Sequence, residues 1–343
     1  MGVVVDRGPA DIEPHPPRID GLEAPLGAGH RVVEVKVHGL TRQAHIGRSA
    51  GPQQKRGKAT PGQTFAERFV ALAGARSPLC VGLDPSIDLL SRWGLPQSAE
   101  GLRRFCEATL EAAGEAVAVF KPQAGFFEAF GPEGMAELAG AVAGAKARGA
   151  LALIDAKRGD VGTTMEGYAR AMLGPESGFG GDAVTAAPWM GFAALGPLLA
   201  RAREVGGAVF VVVRSSNPEG AGPQNARHAD GRTAAEAIAD EITAFNAAAA
   251  ASVGPACAVV GATLAPADVS AILSRLPRSL VLAPGVGAQG ASFADVAMRF
   301  GAAAGRTLPS VSRAILEEGP DVGRLRTAIL RARDEAFAMA NAH

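Results

Sequence analysis

The stretch "LALIDAKRGDVGTT", residues 151–164, starts with four apolar residues and then crowds Asp155, Lys157, Arg158 and Asp160 into six positions. An apolar run without alternation is what a parallel strand covered on both faces requires. The charge that follows is unusual for a chain in which only 20% of residues are charged. It places a dense polar group where the strand leaves the core.

Working outward, the same kind of run recurs at 78–84 "PLCVGLD", 116–121 "AVAVFK", 182–186 "DAVTA", 207–213 "GAVFVVV", 256–260 "ACAVV", 280–283 "LVLA" and about 306–309 "RTLP". With 150–155 the count is eight. Helical patterns precede the first run at 64–75 and separate the others at 99–114, 133–147, 163–173, 190–203, 233–251, 266–276 and 291–301, with a final pair after 310. Eight βα units over residues 62–340 predict a closed (β/α)8 TIM barrel in a single domain, since open doubly wound sheets commonly have fewer strands. The polar segment 214–232 is of lid-like length.

Residues 1–61 carry Pro and Gly clusters and then basic residues, with a short strand pattern at 30–40. They are read as an extension that is disordered or lies outside the true translation start, with a basic tail touching RNA as the functional alternative. The amino terminus has no sustained apolar segment of the kind a signal peptide needs, and no apolar run reaches the length of a membrane span. With 34 basic and 34 acidic residues the net charge is zero, which supplies no general field for nucleic acid or an anionic membrane. Cys80, Cys106 and Cys257 are odd in number and widely spaced, as expected of reduced core residues in a cytoplasmic protein. Four histidines fall in the first 60 residues and one is the last residue, leaving His228 alone inside the domain; a histidine triad or a multi-histidine metal site is not expected.

In a barrel of this kind the chemistry gathers at the carboxyl ends of the strands. Those ends carry Asp84, Lys121, Asp155 with Lys157, Thr185 and Pro188, and Ser215 to Asn217. Taken singly, Asp84 before Pro85 suits a turn, Lys121 can reach the rim, and Asp155 with Lys157 can be a structural ion pair. Together they form a mixed-sign array that is costly to desolvate unless a ligand or a reaction uses it. An extended backbone would point Asp155 and Lys157 the same way. At the other end of the chain, the glycine-rich "PGVGAQG", 284–290, and the helix start with Arg313 in "PSVSRAILEEG" suit a phosphate group.

"VGLDPS", "VFKPQAGFFEAFG", "LIDAKRGDVGTT", "VVRSSNPEG" and "LAPGVGAQG" together resemble the orotidine 5'-phosphate decarboxylase family, in the longer bacterial branch known from mycobacteria and myxobacteria. The resemblance spans about residues 62–338 and is most specific in the Asp-x-Lys-x-x-Asp spacing of 155–160. It implies that Asp84 binds a ribose hydroxyl and that Lys121 links ribose to the charged network. Asp155 would face the substrate carboxylate, and Lys157 would deliver a proton to C6. Asp160 and Thr164 would enter the site of a partner subunit in a homodimer. Ser216 matches the serine that reads the pyrimidine edge, and Gln289 and Arg313 match phosphate ligands, with Arg306 the competitor for Arg313. The implied substrate is orotidine 5'-monophosphate, with no cofactor and no metal. The neighbouring metal-dependent decarboxylases of 3-keto-L-gulonate 6-phosphate share the Asp-x-Lys-x-x-Asp arrangement but have an acidic residue where this chain has Lys121. A non-catalytic barrel that binds a phosphate ligand is the alternative of a different class.

Overall fold

In the computed structural model the described residues are 62–249 and 251–342. The readings made for residues 1–61, including the strand at 30–40, lie outside them. Eight parallel strands close into a barrel in sequence order: β1 Cys80–Leu83, β2 Val119–Pro122, β3 Leu151–Arg158, β4 Ala183–Ala186, β5 Ala208–Arg214, β6 Ala256–Val260, β7 Val281–Pro284 and β8 Thr307–Val311. β1 pairs with β8 through Cys80 and Val81, which closes the ring. β8, the most polar of the sequence candidates, is buried along its whole length.

The helices are α1 Phe65–Ala75, α2 Ile87–Arg92, α3 Ala99–Ala113, α4 Ala124–Glu128, α5 Gly131–Ala147, α6 Gly162–Met172, α7 Gly196–Val205, α8 Ala221–Asn225, α9 Ala234–Ala247, α10 Pro266–Leu273, α11 Phe293–Phe300, α12 Arg313–Leu316 and α13 Val322–Ala340. α2, α4 and α8 had no counterpart in the sequence reading. Each is only five or six residues long, too short to show a helical period. α8 and a preceding 3-10 turn lie within the segment expected as one long loop. None of the helices is long and apolar enough to cross a membrane among the described residues.

The period of two along each strand sorts the core into two layers. Val81, Leu83, Phe120, Ile154, Val184, Val211, Ala258 and Val281 face the helices. Cys80, Val119, Leu151, Leu153, Ala183, Phe210, Cys257, Val259, Leu282 and Leu308 fill the interior. α1 closes the amino-terminal end of this interior. Thr64 and Glu67 form a reciprocal capping box at its start, and Phe65 and Phe69 pack inward, with Phe65 edge-on to Phe210 at 5.7 Å. Arg68 ties the helix to buried Asp182, just before β4, at 2.7 Å. The three cysteines are buried and unpaired, and burial pushes the Cys80 and Cys257 thiols up to about 12.

Candidate active site

The interior register continues upward into polar residues. Gly82 stands beside Lys121 in the β1–β2 ladder, and Gln123 bridges to Asp155 beyond the regular end of β2. Lys121 is only 4% exposed and Asp155 6%. Two charges so deep are tolerable only when paired. Lys121 Nζ donates to Asp155 Oδ2 at 2.9 Å, and Lys157 Nζ donates to Asp155 Oδ1 at 2.6 Å. Thr185, the inward residue near the end of β4, donates to Asp155 Oδ1 at 2.8 Å. Asp155 is therefore a carboxylate fixed on both oxygens by two ammonium groups and a hydroxyl.

The electrostatics follow from that packing. Burial alone pushes the Asp155 carboxyl up, but Lys121 and Lys157 outweigh it and hold the group below the usual carboxylate range. Burial likewise opposes the charge of Lys121, and Asp155 with Asp84 more than compensates, so its affinity for the proton rises above that of an ordinary lysine. Asp84 contributes at longer range, with Oδ1 4.0 Å from Lys121 Nζ. That oxygen is buried and has no hydrogen-bond partner. An acceptor left open beside a buried ammonium suits a donor hydroxyl on a bound molecule.

The expected alternation breaks at Lys157. Its φ is +47°, the one positive value at a non-glycine position among the described residues, and the β3–β4 register shifts between Ile154 and Arg158. Asp155 and Lys157 converge because the strand bulges, with Lys157 in a left-handed conformation rather than an extended one. The Lys157 side chain remains 49% exposed, so its ammonium faces the mouth while Asp155 lies beneath it.

Asp160 and Thr164 do not join this group within one chain. Asp160 Oδ1 accepts from the adjacent Val161 N–H at 2.8 Å, and Thr164 is exposed in the first turn of α6. The following Val161 is 55% exposed, and Trp189 and Met190, after β4, are 84% and 55% exposed. Arg158 instead pairs with Glu128 and lies over the Tyr168 ring at 5.6 Å.

On the far side of the mouth, Ser216 Oγ donates to Gln289 Oε1 at 3.4 Å, linking the loops after β5 and β7. Gly287, at φ +82°, lets the β7 loop approach α12: a Cβ there would stand 2.8 Å from that of Ala314. Arg313 is exposed at the first position of α12. Arg306 lies at the opposite end of the barrel, immediately before β8, where it donates to the Ser279 carbonyl at 2.6 Å. Arg313, by contrast, starts α12 just after the carboxyl end of β8. Two residues carried no role in the sequence reading yet shape this face. Thr185 shares inward parity with Ala183, a signal present in the sequence. Arg214, 6% exposed at the end of β5, reaches the Ser215 carbonyl at 2.9 Å and Gln224 Oε1 at 3.1 Å, a pairing that no spacing predicts.

Fold and site thus define a (β/α)8-barrel protein with a lysine–aspartate–lysine network at the carboxyl ends of β2 and β3. The model of the orotidine 5'-phosphate decarboxylase / HUMPS family matches residues 77–328, and the chain belongs to that family. It is 50% identical over 273 residues to the orotidine 5'-phosphate decarboxylase of Myxococcus xanthus, an overlap of 79% of this chain and 94% of that protein. A Streptomyces avermitilis crystal structure is similar with a TM-score of 0.76 and 44% identity, covering 84% of this chain and 99% of that one. Leishmania donovani OMP decarboxylase is similar at a TM-score of 0.67 and 31% identity, covering 81% and 99%.

Proposed function

We propose that this chain converts orotidine 5'-monophosphate to uridine 5'-monophosphate and CO2, the last step of pyrimidine synthesis, by electrostatic stabilisation and lysine protonation. The observation that carries this reading is the double clamp of Lys121 and Lys157 on Asp155 at the barrel mouth. In the reaction the bond between C6 and its carboxylate breaks and leaves an electron pair on C6. Asp155, kept ionised by its two lysines, lies against the substrate carboxylate, a contact that eases as charge moves onto the ring. Lys157 holds a preorganised ammonium beside C6, stabilises the developing carbanion, and gives it the proton.

The remaining roles come from the same reading. Asp84 accepts a ribose hydroxyl on its open Oδ1, Ser216 reads the pyrimidine edge, and Gln289 and Arg313 bind the phosphate. Binding energy from the phosphate helps to close the loops over the network. Asp160 and Thr164 act across a homodimer, supported by their surface position, by exposed Val161 between them in sequence, and by exposed Trp189 and Met190 on the loop after β4, which meets β3 where Ala187 N–H donates to the Arg158 carbonyl. The catalytic domain is assigned to 62–340, supported by the family match within those bounds. Buried, unpaired thiols suit the reducing cytoplasm.

The test follows the loss of orotate-ring absorbance from orotidine 5'-monophosphate with a chelator present. Full turnover is expected; turnover that stops with chelator and returns with a divalent cation would move the protein to the metal-dependent branch. For the dimer, Lys157→Ala and Asp160→Ala subunits, each inactive alone, are mixed. Hybrid dimers regain one site built from intact residues, so activity returns on mixing; no return would leave Asp160 without a role across the interface.

A further inference from the structure

We propose that Thr185 is a positioning residue that holds Lys157 in its left-handed backbone conformation and aims the ammonium at the reacting carbon. The inference deepens the decarboxylase reading and rests on it.

β3 and β4 fall out of step near the mouth of the barrel. Ile154 pairs with Val184 and Arg158 with Ala186, so four steps along β3 span only two along β4. The residue of β4 opposite the displaced segment is Thr185. The Lys157 N–H donates to Thr185 Oγ1 at 2.9 Å. The same hydroxyl donates its proton to Asp155 Oδ1 at 2.8 Å, and Asp155 Oδ1 accepts from Lys157 Nζ at 2.6 Å. The bonds form a closed ring that starts at the backbone of Lys157 and ends at its ammonium.

A threonine hydroxyl has one proton to give and lone pairs to accept, so a single side chain can serve both ends of this ring. Thr185 is 1% exposed, and water does not compete for those bonds. A positive φ at lysine is disfavoured and persists only where the surroundings impose it. The hydroxyl supplies that constraint at the backbone while orienting the carboxylate that receives the side chain. Valine has nearly the same shape and suits a buried strand, but offers neither bond. Without them the Lys157 N–H loses its partner, the φ angle is free to relax, and the ammonium drifts from Asp155.

The experiment compares Thr185→Val, Thr185→Ser and wild-type full-length protein in steady-state decarboxylation, with uridine 5'-monophosphate binding measured by titration calorimetry. Displacement of a reacting group by about 1 Å can cost ~100-fold in rate, so Thr185→Val should lose kcat on that order while KM and nucleotide affinity stay within about threefold. Thr185→Ser, which keeps the hydroxyl, should recover most of kcat. Should the valine variant not fold, Thr185→Ala takes its place under the same criteria. A kcat near wild type without the hydroxyl overturns the proposal, as does a serine variant that falls as far as valine. If wild type itself releases no CO2, the decarboxylase reading fails and this inference with it; if wild type turns over and only the threonine series departs from expectation, the reading survives and the inference alone is lost.

Discussion

Asp182 at the amino end of the barrel and Asp84 at its carboxyl end are partnered in opposite ways. At the amino end, both oxygens of Asp182 are satisfied: Oδ1 accepts from Arg68 at 2.7 Å, and Oδ2 from the Ala152 N–H at 3.0 Å. At the carboxyl end, Asp84 keeps a buried oxygen without a hydrogen bond, and β3, two strands along the barrel, holds a lysine at positive φ. At the amino end the plugging helix is held through a carboxylate whose two oxygens are both met by protein donors. The other end carries an open acceptor, a strained backbone and charges crowded near a half-exposed ammonium. The left-handed lysine and the open carboxylate oxygen gather on the carboxyl face, which organises that face for a ligand.

Lys157→Ala gives the largest expected break in the comparison. It should lower kcat by about 10⁴-fold or more, because a proton donor and a transition-state charge are lost together. Nucleotide binding measured by calorimetry should persist, and near-normal turnover would remove Lys157 from the chemistry. Asp155→Asn tests the cost of the same network in stability. With the carboxylate gone, two lysines face each other over a neutral amide, and urea unfolding at pH 7 should show a loss of roughly 3 kcal/mol. The pH dependence has a definite sign. The Asp155 carboxyl lies below its ordinary value of about 4 when folded, so its contribution is fully present above that value and is lost as pH falls through the lower folded one. The stability gap between wild type and Asp155→Asn should therefore narrow only below about pH 4.

Arg313→Ala sharpens the assignment of the phosphate side. Activity on orotidine 5'-monophosphate should drop by roughly 100-fold, whereas the slow reaction of the nucleoside orotidine should be nearly unchanged. Equal losses on both would place Arg313 outside the phosphate site. The smallest effect belongs to the amino end. Thr64→Ala removes the capping box of α1 and should cost about 1 kcal/mol in thermal unfolding, with kcat unaltered. A fall in activity there would contradict the separation of the two ends.

Much of this organisation could be read along the chain because it depends on local pattern. The apolar runs mark all eight strands, and their period of two sends Val119 and Lys121, or Leu153 and Asp155, to the same interior face. The short helices α2, α4 and α8 escaped that reading, since five or six residues carry no helical period. Arg306 competed with Arg313 for the phosphate role, and the sequence favoured Arg313 because it sits in the helical turn after the eighth strand. The structure separates them by the length of β8, because the strand begins after the first and ends before the second.

Sequence alone determined the barrel and its inward-facing residues, which follow from the alternation of side chains and the order of the units, and it showed the crowding of charge along residues 155–160. Tertiary structure decided how Lys157 meets Asp155, that Thr185 joins them, and that Asp160 stays apart within one chain. Those outcomes turn on the shifted register between β3 and β4, which arises where two strands distant in sequence are forced into contact and leaves no periodic trace in either.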